Sequence, residues 1–144
     1  MQEYHFTIQS ENFTAGLVLV GEWSLYEFAE FIILKAVGFA FDHPFEFCDN
    51  FKNPYKSKER YSLFSDLGEE DGGDAEPTDP GVEGTFVSQV FTTGKRMAFL
   101  FDYGDDWRFA VTCTVVRESA GKRRSRKVVM TMGERPEQYP DREE

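Results

Sequence analysis

The sequence holds none of the short motifs that announce common catalytic chemistries. There is no glycine-rich phosphate loop, no Gly-x-Ser-x-Gly elbow, no His-Glu-x-x-His helix and no Cys-x-x-Cys pair. Cysteine is scarce. Cys48 and Cys113 stand far apart, which reads as two buried cytosolic thiols, with a disulfide or a metal pair as the alternatives. Long apolar runs are also missing. The longest, from Phe28 to Val37, is broken by Glu30 and Lys35 and is too short to span a bilayer. The N-terminus, Met1-Gln2-Glu3-Tyr4-His5, lacks the basic start and apolar stretch of a signal peptide. These absences predict a cytoplasmic protein without a membrane segment.

Basic charge is outweighed. The formal net charge is −10, which argues against general nucleic-acid binding, since that relies on a basic footprint. The acidity is local. Asp66, Glu69, Glu70, Asp71, Asp74, Glu76, Asp79 and Glu83 supply eight carboxylates with no Lys or Arg between them; without them the net charge is −2. The stretch 66–84 is therefore expected to be a mobile acidic loop. What the chain has in abundance is phenylalanine, 15 in 144 residues. The length suits one domain spanning 1–144, large enough for an aromatic core without disulfides.

Periodicity places the elements. Tyr4, Phe6 and Ile8 alternate with polar residues as a first strand, and Leu17 to Val20 form a second. Ser24 and Glu27 have capping-box spacing, with Trp23 and Phe28 at staple positions. The helix is expected to run to Val37 and stop at Gly38. Leu25, Phe28, Ala29, Ile32, Ile33 and Ala36 share its apolar face, while Phe31 and Leu34 fall among charges and need a cover. Another segment of the chain, or a homodimer contact through this helix face, would supply it. Residues 42–48 read as a third strand beginning at Pro44. Residues 49–65 read as loop with a turn of helix, and Phe86 to Phe91 as a helical turn. Met97 to Phe101 read as a strand apolar on both faces. Trp107, Phe109, Val111, Cys113 and Val115 form the inward row of the next strand, and Val128 to Met132 make the last. The basic run 122–127 reads as a solvated turn. The tail from about Gly133 is expected to lie extended on the surface. The fold predicted is α+β: two layers, a mostly antiparallel sheet of about six strands in the order β-β-α-β-β-β-β, and one main helix on one face.

The densest chemistry is Phe101-Asp102-Tyr103-Gly104-Asp105-Asp106-Trp107, at the tip of a predicted hairpin. Asp102, Asp105 and Asp106 could converge on a divalent cation. They could equally be turn residues that accept backbone N–H bonds, with Gly104 supplying a positive φ. His43 could be a general base or metal ligand; neighbours in a strand point to opposite faces, so Asp42 is not expected to orient it. Two functions fit. One is a non-catalytic binding domain for a protein or peptide partner, needing no cofactor. Its surface would be formed by Tyr103, Trp107, Phe31, Leu34 and Tyr139, with a groove between the tip, His43 and the tail. The other is a metal-dependent hydrolase or nuclease-like enzyme using Asp102, Asp105, Asp106 and His43.

The sequence resembles the plasmid Ri (pRiA-type) ORF-three-like family, whose members carry a Tyr-Asp-Phe-Gly-Asp-x-Trp core, a capped helix leading into a Phe-rich turn, and an x-His-x-x-x-Phe strand. The matching residues are Ser24 to Glu27, Ile33 to Phe39, Phe41-Asp42-His43 with Phe45 and Phe47, and above all Phe101 to Phe109. The tail Gly133-Glu134-Arg135-Pro136-Glu137-Gln138-Tyr139-Pro140 is similar to the ending of one branch. The chain departs from the pattern at Phe101 and Tyr103, where the family's Tyr and Phe are exchanged. It also has Phe109 where many members carry His, which weakens the case for a shared His–carboxylate site. The resemblance implies the fold and a link to plasmid or mobile-element genes, including insertion-element passenger proteins with a resolvase-like label. Its members are of unknown function, so it implies no reaction.

Overall fold

The computed structural model describes residues 1–62 and 81–138. The expected acidic loop therefore lies almost wholly outside the described residues, as does Tyr139. Among the described residues seven strands form one sheet: β1 (Gln2–Ser10), β2 (Phe13–Val20), β3 (Phe45–Cys48), β4 (Arg60–Ser62), β5 (Arg96–Phe101), β6 (Trp107–Glu118) and β7 (Ser125–Gly133). Their order is β4-β3-β5-β6-β1-β2-β7, and every neighbouring pair is antiparallel. The α+β expectation holds, with one strand more than the sequence suggested. The extra strand is β4, three residues long. Its short Arg-Tyr-Ser run is too brief to show a period, and it exists because it pairs with β3.

Helix α1 (Leu25–Phe31) begins as its capping box predicts. The Glu27 N–H donates to Ser24 Oγ and the Ser24 N–H donates to Glu27 Oε1, both at 3.0 Å. Two further N–H groups of the first turn donate to the carbonyls of Thr85 and Val82, so the free donors of the helix start find partners. Helix α2 (Val87–Val90) follows that segment. The main helix does reach Val37, but its second half, Ile32–Val37, is wound as a π-helix. Gly38 stops it at φ 89°, a left-handed conformation that glycine takes without Cβ strain.

The helix lies on one face of the sheet over an aromatic core. Phe6 meets Phe28 at 4.5 Å between ring centroids, Phe28 stacks on Phe47 at 5.8 Å, and Phe47 stacks on Phe99 at 4.8 Å. Phe31 is buried, and β7 supplies its cover: the Arg126 guanidinium lies 5.4 Å from its ring. Leu34 stays exposed.

Two expectations on β6 and β7 are corrected. A bulge shifts the β1–β6 register between His5 and Phe6, so that Phe6 pairs with Cys113 while His5 pairs with Val115. The alternation therefore slips: Val115 is exposed, and Val116 packs on the core in its place. The basic run is more than a turn. Ser125 to Lys127 belong to β7, and Arg124 and Arg126 stack on the Trp23 ring at 3.9 and 4.8 Å. They also pair with Glu27 and Glu30, so two of the five positive charges in the run hold β7 against the helix start.

Candidate functional site

The β5–β6 hairpin ends in the turn 102–106, and its conformation is set by two aspartates rather than by the glycine. Asp102 and Asp106 take left-handed backbone angles, φ 66° and 56°, whereas Gly104 does not. The expectation of a positive φ at Gly104 is thus corrected. Asp tolerates this region because its short side chain bonds locally. Asp102 Oδ1 accepts from the N–H groups of Gly104 at 3.2 Å and Asp105 at 3.3 Å. Its backbone N–H donates to Pro44 O, and its carbonyl accepts from the Asp106 N–H. Asp102 is buried, so this one residue ties the turn together and ties it to the start of β3.

The three carboxylates do not converge. Asp102 points into the turn, Asp106 makes a two-point pair with Arg108 at 2.9 and 3.2 Å, and Asp105 is exposed. Among the described residues no group of three or more His, Cys, Asp or Glu could hold a metal ion. His43 is brought to the tip, with Nε2 at 3.3 Å from Asp102 Oδ2 and at 3.5 Å from Asp42 Oδ1. The expectation that Asp42 would point away fails because β3 begins only at Phe45; strand alternation does not govern residues 42–44.

A second polar cluster was not foreseen. Glu46, on the outer face of β3, is 1% exposed and makes a two-point pair with Arg60 of β4 at 3.0 and 3.1 Å. The Tyr103 hydroxyl donates to Glu46 Oε1 at 2.8 Å. Tyr103, expected as a binding residue, thus closes a buried carboxylate site. The available signal was Glu46 itself, a lone charge inside the apolar run Phe45-Glu46-Phe47-Cys48. Its partner could not be read, because Arg60 lies 14 positions away in a strand the sequence does not announce.

Beside the tip lies an open groove of about 910 Å³ at the end of the sheet. Its walls are the start of β6, the β1–β2 turn and the tail residues 134–137. The Glu134 N–H donates to Asn12 O, Arg135 Nε donates to Ala36 O, and Gln138 brackets Ala40 by bonding both its N–H and its carbonyl. Residues 134–138 are therefore docked along the end of the sheet. Trp107 packs on Phe39 at 4.8 Å and lines this groove. Its indole N–H is buried without a hydrogen-bond partner among the described residues. Arg108, also in the lining, donates to Phe51 O at 2.7 Å and so holds the loop after β3 in place. Arg96 is an exposed residue whose guanidinium lies 5.8 Å from the Phe51 ring. Of the residues expected to form a binding surface, Trp107 lines this groove, while Phe31 is buried beneath Arg126 and Leu34 lies on the helix. His43 is not part of the lining.

No curated protein matches the chain. A solved structure, a protein of unknown function from Methanosarcina mazei Go1, shares the fold with a TM-score of 0.62 at 16% identity, over 88% of this chain and 68% of that one. The family model for plasmid pRiA4b ORF-3-like proteins matches residues 16–141. That span runs from β2 through the tip to the tail, and the chain belongs to the plasmid pRiA4b ORF-3-like family.

Proposed function

We propose that this chain is a non-catalytic cytosolic interaction domain that takes a polypeptide segment in the groove beside Trp107. The observation that carries this reading is the buried indole N–H of Trp107, which has no partner among the described residues in the wall of a 910 Å³ groove. An unsatisfied buried donor costs about 1–3 kcal/mol, and a carbonyl brought close by a small shift of the wall would relieve it. The rest of the lining suits a peptide. Phe51 and Trp107 offer apolar surface, Arg96 offers an exposed cation, and the docked tail already runs along one wall.

The test is selection from a random-peptide display library, followed by NMR on the enriched peptides. They should move the Trp107 indole N–H resonance and leave that of Trp23 in place. They should bind the Arg96→Glu variant at least about tenfold more weakly. No enrichment, or equal binding to that variant, would overturn the reading. The metal-dependent enzyme reading is served by the His43–Asp102 contact alone. A melting scan with Mg²⁺, Mn²⁺, Ca²⁺ and Zn²⁺ should show no rise that Asp105→Asn abolishes; such a rise would put that reading first.

A further inference from the structure

Strand β7 ends the sheet at the side opposite β4. It is nine residues long, against three for β4. Its inner edge pairs with β2, and among the described residues no backbone hydrogen bond reaches its other edge. An edge of that length displays a row of unpaired N–H and C=O groups, a template for one more strand.

The side chains on this edge are sorted along its length. A bulge between Gly16 and Leu17 in the β2–β7 register places Met130 opposite Gly16 and Met132 opposite Thr14. Val129, Met130 and Met132 are all exposed, at 52%, 39% and 62%. At the other end, Arg124 and Arg126 are turned onto Trp23, while Lys122, Arg123 and Lys127 are exposed. The edge is therefore cationic toward its N-terminal end and apolar toward its C-terminal end, in a chain of net charge −10.

We infer that the free edge of β7 docks an extended acidic peptide from a partner protein by adding it as an eighth strand. This surface is separate from the groove beside Trp107. Every pair of neighbouring strands among the described residues is antiparallel, and antiparallel pairs are the more stable per residue. In that direction the peptide's C-terminal half lies along Lys127 and Arg123, and its N-terminal half along Val129 to Met132. The partner strand is accordingly acidic at its C-terminal end and apolar at alternate positions before that. Main-chain bonds supply the affinity, and the charge and the flexible methionines supply the selection. Lys127 and Arg123 also repel a wrong, basic strand.

The experiment uses the full chain and a labelled peptide of about ten residues, the reach of one strand, with alternating Val and Thr followed by Glu. Fluorescence anisotropy should show saturable binding that falls with salt. Hydrogen exchange should slow at Val129 to Met132. Three controls should each weaken binding by about tenfold or more: the same composition in reverse order, N-methylation of alternate peptide amides, and the double variant Arg123→Glu with Lys127→Glu. Absence of saturation, or binding that ignores N-methylation or charge reversal, overturns the inference. So does a concentration-dependent dimer that protects the same amides, which would make a second copy the occupant. Tighter binding of a single-stranded oligonucleotide overturns it too, since the basic residues would then be a nucleic-acid contact.

Discussion

The two ends of the sheet are built differently. At the β4–β3–β5 end both faces are closed. The helix covers the inner face, and on the outer face Glu46, Cys48, Ala98 and Leu100 are all buried. At the β2–β7 end the helix covers one face only, and Val129, Met130 and Met132 remain in solvent. The sequences follow this difference. Phe45-Glu46-Phe47-Cys48 and Met97 to Phe101 are apolar on both faces, the pattern of strands buried on two sides. β1 alternates, the pattern of a strand buried on one. The closed end can therefore bury a charge pair and fix a strained turn, while the open end keeps a surface that can still change partners.

Breaking the closed end should have the largest effect. Glu46→Ala removes the two-point carboxylate contact of Arg60, 9% exposed, and an acceptor of the Tyr103 hydroxyl. Loss of one member of a buried pair costs about 3–5 kcal/mol, to be read by urea denaturation. Replacing both partners, Glu46→Leu with Arg60→Met, should recover most of that loss, since a packed apolar pair is often as stable as the ion pair.

Asp102→Ala comes next. It removes the acceptor of two turn N–H groups and puts a residue at φ 66° that lacks the local bonds which make Asp tolerable there. The expected loss is about 1–3 kcal/mol, with Asp102→Asn retaining most of the stability. If alanine were silent, the turn would not depend on that carboxylate.

The thiols test burial in another way, Cys48 at the closed end and Cys113 in the middle of the sheet. Burial pushes the Cys113 thiol up to about 11 from 9.0, and pushes the Cys48 thiol up as well. The unfolded chain thus ionises these groups first as pH rises. Their contribution to stability is full below about pH 9 and is lost toward pH 11. Chemical denaturation at pH 8, 9.5 and 11 should show this decline, weakened in Cys113→Ala. Neither thiol should react with a disulfide reagent at pH 8 until the protein unfolds.

Substitutions at the open end should be nearly silent. Met132→Thr and Val129→Thr should change stability by no more than about 0.5 kcal/mol. Gly104→Ala belongs with them despite its place in the tip: an added Cβ would meet only Asp102 Oδ1, at 3.4 Å. A large loss at Val129 or Met132 would mean that this face is already packed, and the contrast between the two ends would fall.

Local patterns were readable wherever the cause is local. The capping box at Ser24 and Glu27, the stop at Gly38, the half-buried β1 and the two-faced β5 all follow from spacing, because helix and strand periods act between near neighbours. The same reading failed where a distant strand decided the outcome. Spacing marks Phe31 as needing a cover but does not name Arg126 as the residue that supplies it, and Val115 reads as inward until β1 imposes a bulge. Composition and spacing fixed the antiparallel α+β plan and the special character of residues 101–107. Only the tertiary structure turned Asp102, rather than Gly104, into the keystone of that turn. It alone gave Glu46 its partner in Arg60, set Trp107 beside a groove and left β7 at an open edge. Each of those depends on groups far apart in the chain, and a one-dimensional pattern carries no term for that pairing.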